Sequence, residues 1–93
     1  MTYELAIHPE AEKEWGKLDG SIKRRFKDKF AKEQLEQPRV LKDALRELPD
    51  CYKIKLTTPQ FRLIYHVNET ARLLTILSVA SRNDVYEDLR NRL

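Results

Sequence analysis

Three short apolar segments, separated by two turns, constrain the fold more than any other feature of this sequence. Residues 52–56 alternate apolar and basic side chains, whereas residues 61–67 and 72–80 are mostly apolar. The sequences between them, Thr-Thr-Pro-Gln and Asn-Glu-Thr, are typical of turns. Short turns join neighbouring antiparallel strands, so the pattern predicts a three-stranded meander. Because residues 72–80 offer apolar side chains to both faces, we expect that strand in the centre of the sheet.

The first half of the chain predicts one strand followed by two helices. Residues 3–7 alternate like a strand, and Pro9 suits the first position of a helix. Ser21 is expected to cap a second helix, which should run to about Glu36 because Pro38 follows. Apolar side chains at helical spacing support both helices: Ala11, Trp15 and Leu18 in the first, and Ile22, Phe26 and Phe30 in the second.

A last short helix is expected over residues 84–93, where Val85, Leu89 and Leu93 recur at every fourth position. The predicted order is β-α-α-β-β-β-α. This is an α+β fold with a mostly antiparallel twisted sheet, a helical hairpin on one face and a short C-terminal helix. A chain of 93 residues can bury one modest core, so residues 1–93 are expected to form a single domain.

Composition excludes several classes of protein and of site. Hydrophobic residues make up 41% and charged residues 35%, which excludes a disordered or low-complexity chain. No apolar run has the ~20 residues of a membrane span, and no export signal is visible, so a cytoplasmic protein is expected. The single cysteine, Cys51, excludes an internal disulfide and is expected to act as a small apolar residue. Two glycines cannot build a phosphate-binding or dinucleotide-binding loop, and His8 and His66 lack metal-pair spacing, so we expect no cofactor and no metal.

A cluster of cations is expected on one face of the meander. In the strand 52–56 the apolar residues face one way, and Lys53 and Lys55 face the other. A turn centred on the Thr-Pro step puts Lys55 opposite Arg62 and Lys53 opposite Ile64. Like charges directly opposite each other in a sheet destabilise it by a few tenths to ~1 kcal/mol, so the cluster fits an anion site. The alternative is that the lysines only solvate an edge strand and protect it from aggregation.

Segments along nearly the whole chain resemble the RelE toxins. The most specific are Tyr-Lys-Ile-Lys-Leu at 52–56 and Phe-Arg-Leu-Ile-Tyr at 61–65. Glu-Trp-x-Lys-Leu at 14–18 and Ser-Val-x-x-Arg at 78–82 agree with them. The resemblance implies the toxin half of a toxin–antitoxin pair, with a fold similar to that of small microbial ribonucleases. It also implies that this toxin enters the A site of the ribosomal 30S subunit and cuts messenger RNA there. It implies a RelB-like antitoxin as the partner, in a toxin–antitoxin hetero-oligomer, and no membrane partner.

The resemblance also implies functional residues. The implied catalytic residues are Lys53, Lys55, Arg62, Arg82 and Tyr86. The resemblance further implies Arg46 as a phosphate or ribosomal RNA contact. Independently of the resemblance, Lys23, Arg24, Arg25 and Lys27 make the second helix basic, which predicts a contact with ribosomal RNA. A solvated helix face is the alternative for the basic helix. Family members commonly have glycine and a basic residue where this chain has Ala80-Ser81. In the simplest register Arg82 leaves its strand on the face away from Lys55, so a bulge or strand end near residue 80 is expected to turn it.

Metal-free RNA cleavage indicates what such residues would do. The 2′-hydroxyl attacks its own phosphate, which requires a base, cations for the phosphorane and an acid for the departing 5′-oxygen. A lysine among other cations has its pKa lowered from ~10.4, so Lys53 is the expected base, with Lys55 the near alternative. Arg62 would stabilise the phosphorane, Arg82 would act as acid or by its charge, and Tyr86 would stack on a base or orient the 2′-hydroxyl.

Two other functions are compatible with the sequence. One is a non-enzymatic, ParE-like toxin that binds and inhibits a protein target such as gyrase. Such relatives typically lack the lysine–arginine cluster, so its presence favours the nuclease. The other is a plain RNA-binding module, which would bind free RNA without cutting it.

Overall fold

A four-stranded sheet carries two helices in the described parts of the computed structural model, which are residues 3–30, 44–45, 48–57, 60–81 and 92. In chain order the elements are β1 (Glu4–Ile7), α1 (Pro9–Gly16), α2 (Gly20–Lys29), β2 (Cys51–Thr57), β3 (Gln60–Asn68) and β4 (Leu73–Ala80). The predicted helix over residues 84–93 lies outside the described residues except for Arg92, and so does the predicted extension of α2 to Glu36.

The strand order is β1-β4-β3-β2. The last three strands form the predicted antiparallel meander, and β1 pairs with β4 in parallel. A parallel pair needs a long crossover connection, which here includes both helices and two further strands. The position of β4 between β1 and β3 confirms the prediction from its apolar sequence, because a strand with neighbours on both sides buries side chains on both faces.

The helical hairpin covers one face of the sheet, as predicted. Alternate residues of β2, namely Tyr52, Ile54 and Leu56, join the apolar residues of α1 and α2 in the main core. Tyr65 at the centre is fully buried; its ring stacks on that of Tyr52 at 5.7 Å and meets the edge of the Phe30 ring at 6.0 Å. Burying one such side chain contributes roughly 1.5–3 kcal/mol to folding, so this face provides most of the stability.

A smaller apolar cluster lies on the other face of the sheet. It contains Leu48, Cys51, Ile64 and Leu77, with Leu45 and Ala80 packed against it. Leu45 and Asp50 are joined to the sheet by backbone hydrogen bonds from Leu45 N–H to Cys51 O (2.9 Å) and from Val67 N–H to Asp50 O (2.9 Å). Burial, with the nearby charge of Asp50, raises the pKa of the Cys51 thiol to about 11. The thiol is therefore neutral at pH 7, which confirms Cys51 as a small apolar residue.

The helix starts confirm one sequence prediction and correct another. Pro9 is the first residue of α1, where its missing N–H costs nothing, and the His8 side chain accepts a hydrogen bond from Glu10 N–H (3.1 Å). The predicted cap Ser21 is wrong, because α2 begins one residue before it. Asp19 is the N-cap, and its carbonyl accepts the bond from Lys23 N–H at 3.0 Å. Within the described ranges, no helix is long and apolar enough to cross a membrane.

Candidate active site

The cationic cluster lies where β2 and β3 pair. Lys55 stands directly opposite Arg62, and Lys53 stands opposite Ile64, as the turn between the strands predicted. Directly opposed residues on one face have Cβ atoms about 5 Å apart, and alternate residues of one strand lie roughly 7 Å apart. Lys53, Lys55 and Arg62 therefore share one small area. It lies on the face opposite the helices, because the intervening residues Ile54 and Leu63 point into the main core.

The area is both accessible and poor in acids. Lys55 is exposed, while Lys53 and Arg62 are half-buried against the sheet. Neither β2 nor β3 contains an aspartate or glutamate. Neither lysine forms an ion pair with another residue of the described segments. A bound polyanion would therefore gain the full attraction of both ammonium groups, which a structural salt bridge would otherwise weaken.

A β-bulge in β4 determines which of its residues lie on the same face of the sheet as Lys55 and Arg62. Ile64 pairs with Ser78, but the next residue, Tyr65, pairs with Ile76, so Leu77 is inserted between the two pairs. The extra residue reverses the face of every later side chain in β4. Ala80 consequently stands opposite Arg62 and packs on the face opposite the helices. The expected bulge or strand end near residue 80 thus takes the form of a bulge at Leu77, followed by the end of β4 at Ala80.

The basic residues of α2 form a separate surface. Arg24, Arg25 and Lys27 are exposed and Lys23 is half-buried, while Ile22 and Phe26 of the same helix are buried in the main core. Since α2 covers one face of the sheet and the β2–β3 cations lie on the other, the structure does not bring the two groups together. Three of the predicted functional residues, Arg46, Arg82 and Tyr86, lie outside the described residues.

Sequence reasoning missed one charged residue that contacts the end of β4. Glu14 of α1 accepts hydrogen bonds from Val79 N–H (3.2 Å) and Ser78 Oγ–H (3.4 Å), and it pairs with Arg92. In the sequence Glu14 is one of three acidic residues in α1, and nothing in its helical spacing separates it from Glu10 or Glu12. The Ser-Val pair at 78–79 belonged to a recognised motif, but its contact with α1 depends on the three-dimensional packing.

Comparison with known proteins assigns this arrangement to a family. Residues 5–86 match the sequence model of the ParE toxin of the type II toxin–antitoxin system parDE. The chain is 38% identical to the mRNA interferase toxin RelE of Escherichia coli K12, over 100% of this chain and 99% of that protein. The structure superimposes on a free double mutant of E. coli RelE with a TM-score of 0.91 at 37% identity, covering 100% and 99% of the two chains. The chain belongs to the RelE family of type II toxins.

Other solved relatives contain an antitoxin. The intact E. coli RelBE toxin–antitoxin complex matches with a TM-score of 0.83 at 38% identity, covering 87% of this chain and 98% of the matched chain. RelE and ParE toxins share this scaffold, so the family model alone does not separate the nuclease from the protein-binding toxin. The full-length identity to RelE favours the RelE side.

Proposed function

We propose that this RelE-family chain is the toxin of a toxin–antitoxin pair and a metal-independent endoribonuclease that cleaves messenger RNA in the ribosomal A site. Residues 1–93 would act as a single toxin domain in the cytoplasm, where translation takes place. The observation that carries the proposal is the Lys55–Arg62 pair, two cations directly opposed in a sheet beside Lys53. Such a pair costs stability and becomes favourable when a phosphate lies between the charges.

The proposed reaction is the attack of a ribose 2′-hydroxyl on its own 3′-phosphate. The amine of Lys53 or Lys55 takes the hydroxyl proton, and O2′ forms a bond to phosphorus. The bond from phosphorus to the 5′-oxygen of the next nucleotide then breaks, and that oxygen leaves after taking a proton from a general acid. The products are a 2′,3′-cyclic phosphate and a free 5′-hydroxyl, so neither water nor a metal ion enters this step.

Arg62 is proposed to stabilise the phosphorane. Its guanidinium is planar, always charged and shaped to bind two phosphate oxygens at once. It is half-buried beside the sheet, where water screens its charge less than that of the exposed Lys55. Arg62 is therefore the residue whose removal is expected to cost the most catalysis.

Arg82 and Tyr86 complete the proposed site. Support for Arg82 comes from the bulge at Leu77, which puts Ala80 on the face of Arg62. Ala80 is the last residue of β4 and precedes Arg82 by two positions in the sequence. Tyr86 would stack on a base or orient the 2′-hydroxyl.

The second cationic surface is proposed to hold the toxin on the ribosome. Lys23, Arg24, Arg25 and Lys27 of α2 would bind ribosomal RNA phosphates while the opposite face of the sheet meets the messenger. Arg46 is proposed as a further RNA contact. Two such faces suit a protein inserted between two RNA molecules. Since the ribosome then fixes the substrate, the isolated toxin should cleave free RNA poorly.

The proposed partner is a RelB-like antitoxin whose acidic or apolar segment covers the cationic face. Support comes from solved complexes of relatives, including the E. coli RelBE complex. A carboxylate placed between Lys55 and Arg62 would relieve their mutual repulsion and compete directly with a phosphate.

Mapping messenger 5′ ends after induction of the chain in bacteria tests the proposal. Cuts within translated codons that disappear in Arg62→Ala and Arg82→Ala would support it, with Lys13→Ala as a control because the Lys13 side chain is 73% exposed. Growth arrest without cuts would support a protein-binding toxin instead. Binding of free RNA with neither arrest nor cuts would support an RNA-binding module.

A further inference from the structure

In the described parts of the chain, β3 is accessible on only one side of the opposed cations of β2 and β3. Two positions beyond Arg62, Ile64 is fully buried and packs with Leu48 and Leu77, which are 7% and 2% exposed. Ser78, which pairs with Ile64 from β4, is 1% exposed. A nucleobase on this side would have to displace the apolar cluster, so the base of a bound nucleotide is expected on the other side of Arg62.

Gln60 lies on that accessible side. It is the first residue of β3, pairs with Thr57 across the turn, and is exposed. Because side chains alternate along a strand, Gln60 lies on the same face as Arg62, with Cβ atoms roughly 7 Å apart. Lys55 is its diagonal neighbour on β2, at about 7–8 Å. Only a ribose separates a phosphate from the base of its nucleotide, so a phosphate held by the two cations would bring a base within reach of Gln60.

Gln60 differs in its chemistry from the other described neighbours of the two cations. Lys53 carries donors only, and the half-buried Ala80 opposite Arg62 has no polar side-chain atom. Ser81, which follows β4, is exposed and offers a single hydroxyl. The amide of Gln60 holds an acceptor and a donor in one plane, so it can bind the edge of a base at two points. Phosphate contacts carry no sequence information, so a group of this kind must supply any preference for a base.

We propose that Gln60 is a specificity-determining residue that reads the Hoogsteen edge of an adenine beside the scissile phosphate. Its side-chain carbonyl accepts a hydrogen bond from the N6 amino group of adenine, and its NH₂ group donates one to N7. Guanine presents two acceptors at this edge, so the amide can make only one of the two contacts with it. The inference rests on the proposed function, in which Lys55 and Arg62 bind the scissile phosphate.

Single-turnover cleavage on programmed ribosomes tests the contact, with the base on each side of the cut varied in turn. The wild-type toxin should cut fastest with adenine at one of these two positions. Replacing that adenine with 7-deazaadenine, which lacks N7, should slow cleavage about 5- to 100-fold, the usual range for losing a two-point base contact. Gln60→Met keeps the length of the side chain without its amide, so it should cut both messages at the same rate.

Two controls accompany this comparison. Lys13→Ala changes an exposed residue of α1 and should keep the wild-type preference for adenine over 7-deazaadenine. Gln60→Met should keep the wild-type midpoint of urea unfolding, because Gln60 is exposed.

The outcomes separate this inference from the proposed function. Equal wild-type cutting of the two messages, or a preference that persists in Gln60→Met, overturns the role of Gln60. If that wild-type cutting is lost in Arg62→Ala, the proposed nuclease stands while the base contact falls. A wild-type chain that cuts no message overturns both.

Discussion

The two faces of the sheet are formed by the same strands but carry different side chains, apolar on one face and cationic on the other. On the helix side, alternate residues such as Ile54, Leu63 and Tyr65 are almost completely buried in one apolar core. On the other side, the residues between them include the cations Lys53, Lys55 and Arg62. One face therefore provides the main apolar core, while the other brings like charges close together. Substitutions on the two faces should therefore affect different measurable properties.

The largest effect is expected for catalysis on the cationic face. Arg62→Ala should slow cleavage of messenger on programmed ribosomes by about 10²–10³-fold, since it removes a principal charge that stabilises the phosphorane. Its midpoint of urea unfolding should stay near the wild-type value. Unfolding of the Arg62→Ala variant, or unchanged cleavage by it, would contradict the assignment of catalysis to one face and stability to the other.

The largest effect on stability is expected on the helix side. Leu63 is the neighbour of Arg62 and is fully buried. Leu63→Ala should lower the free energy of unfolding by about 2–5 kcal/mol, because it removes buried methyl groups and leaves a cavity. Urea titration followed by circular dichroism would measure this loss. A loss smaller than about 2 kcal/mol would show that the helix-covered face does not contribute most of the free energy of unfolding.

The Glu14–Arg92 pair should make stability depend on pH at the edge between the two faces. Because the pKa of folded Glu14 is lowered, its contribution is present above the unfolded-state pKa of about 4.3 and is lost as pH falls through the lower folded pKa. Glu14→Gln should therefore destabilise the protein at pH 7 by about 1–2 kcal/mol, between surface and buried pairs. The difference from wild type should shrink below about pH 4. A difference that is constant with pH would contradict the assigned ion pair.

The smallest effect should have the opposite sign. Lys55→Ala removes one of two like charges facing each other across β2 and β3, so it should raise the free energy of unfolding by a few tenths to ~1 kcal/mol while slowing cleavage. Lys27→Ala on α2 is the matched control for stability, since Lys27 is also an exposed lysine. A lower free energy of unfolding for Lys55→Ala would mean that repulsion between Lys55 and Arg62 does not destabilise the folded protein.

The sequence was sufficient where local patterns decide the structure. Alternation along residues 52–56 and the short turn after them determined the register, including Lys55 opposite Arg62. The apolar sequence of β4 indicated its central position. The start of α2 was predicted wrongly because Asp19 and Ser21 are both good capping residues, and propensity alone does not choose between them.

Features that depend on distant residues could not be predicted in the same way. The bulge at Leu77 follows from how β3 and β4 pair, and its position in an apolar run leaves no trace in the alternation. Glu14 and Arg92 are separated by 78 positions, and each resembles the charged residues around it. Only folding brings them to the β4 edge. The cationic cluster was predictable because its members lie on two adjacent strands, whereas the Glu14–Arg92 pair was not.

Replacing one ribose in the message tests the 2′-hydroxyl mechanism directly. Ribosomes programmed with a message that has a single 2′-deoxynucleotide at the cleavage position are compared with ribosomes carrying the all-ribose message. Attack by the 2′-hydroxyl predicts cutting of the all-ribose message, leaving a 2′,3′-cyclic phosphate, and no cutting at the 2′-deoxy position. Equal cutting of both messages, or no cutting of either, would contradict the proposal that the cations of β2 and β3 assist attack by a 2′-hydroxyl.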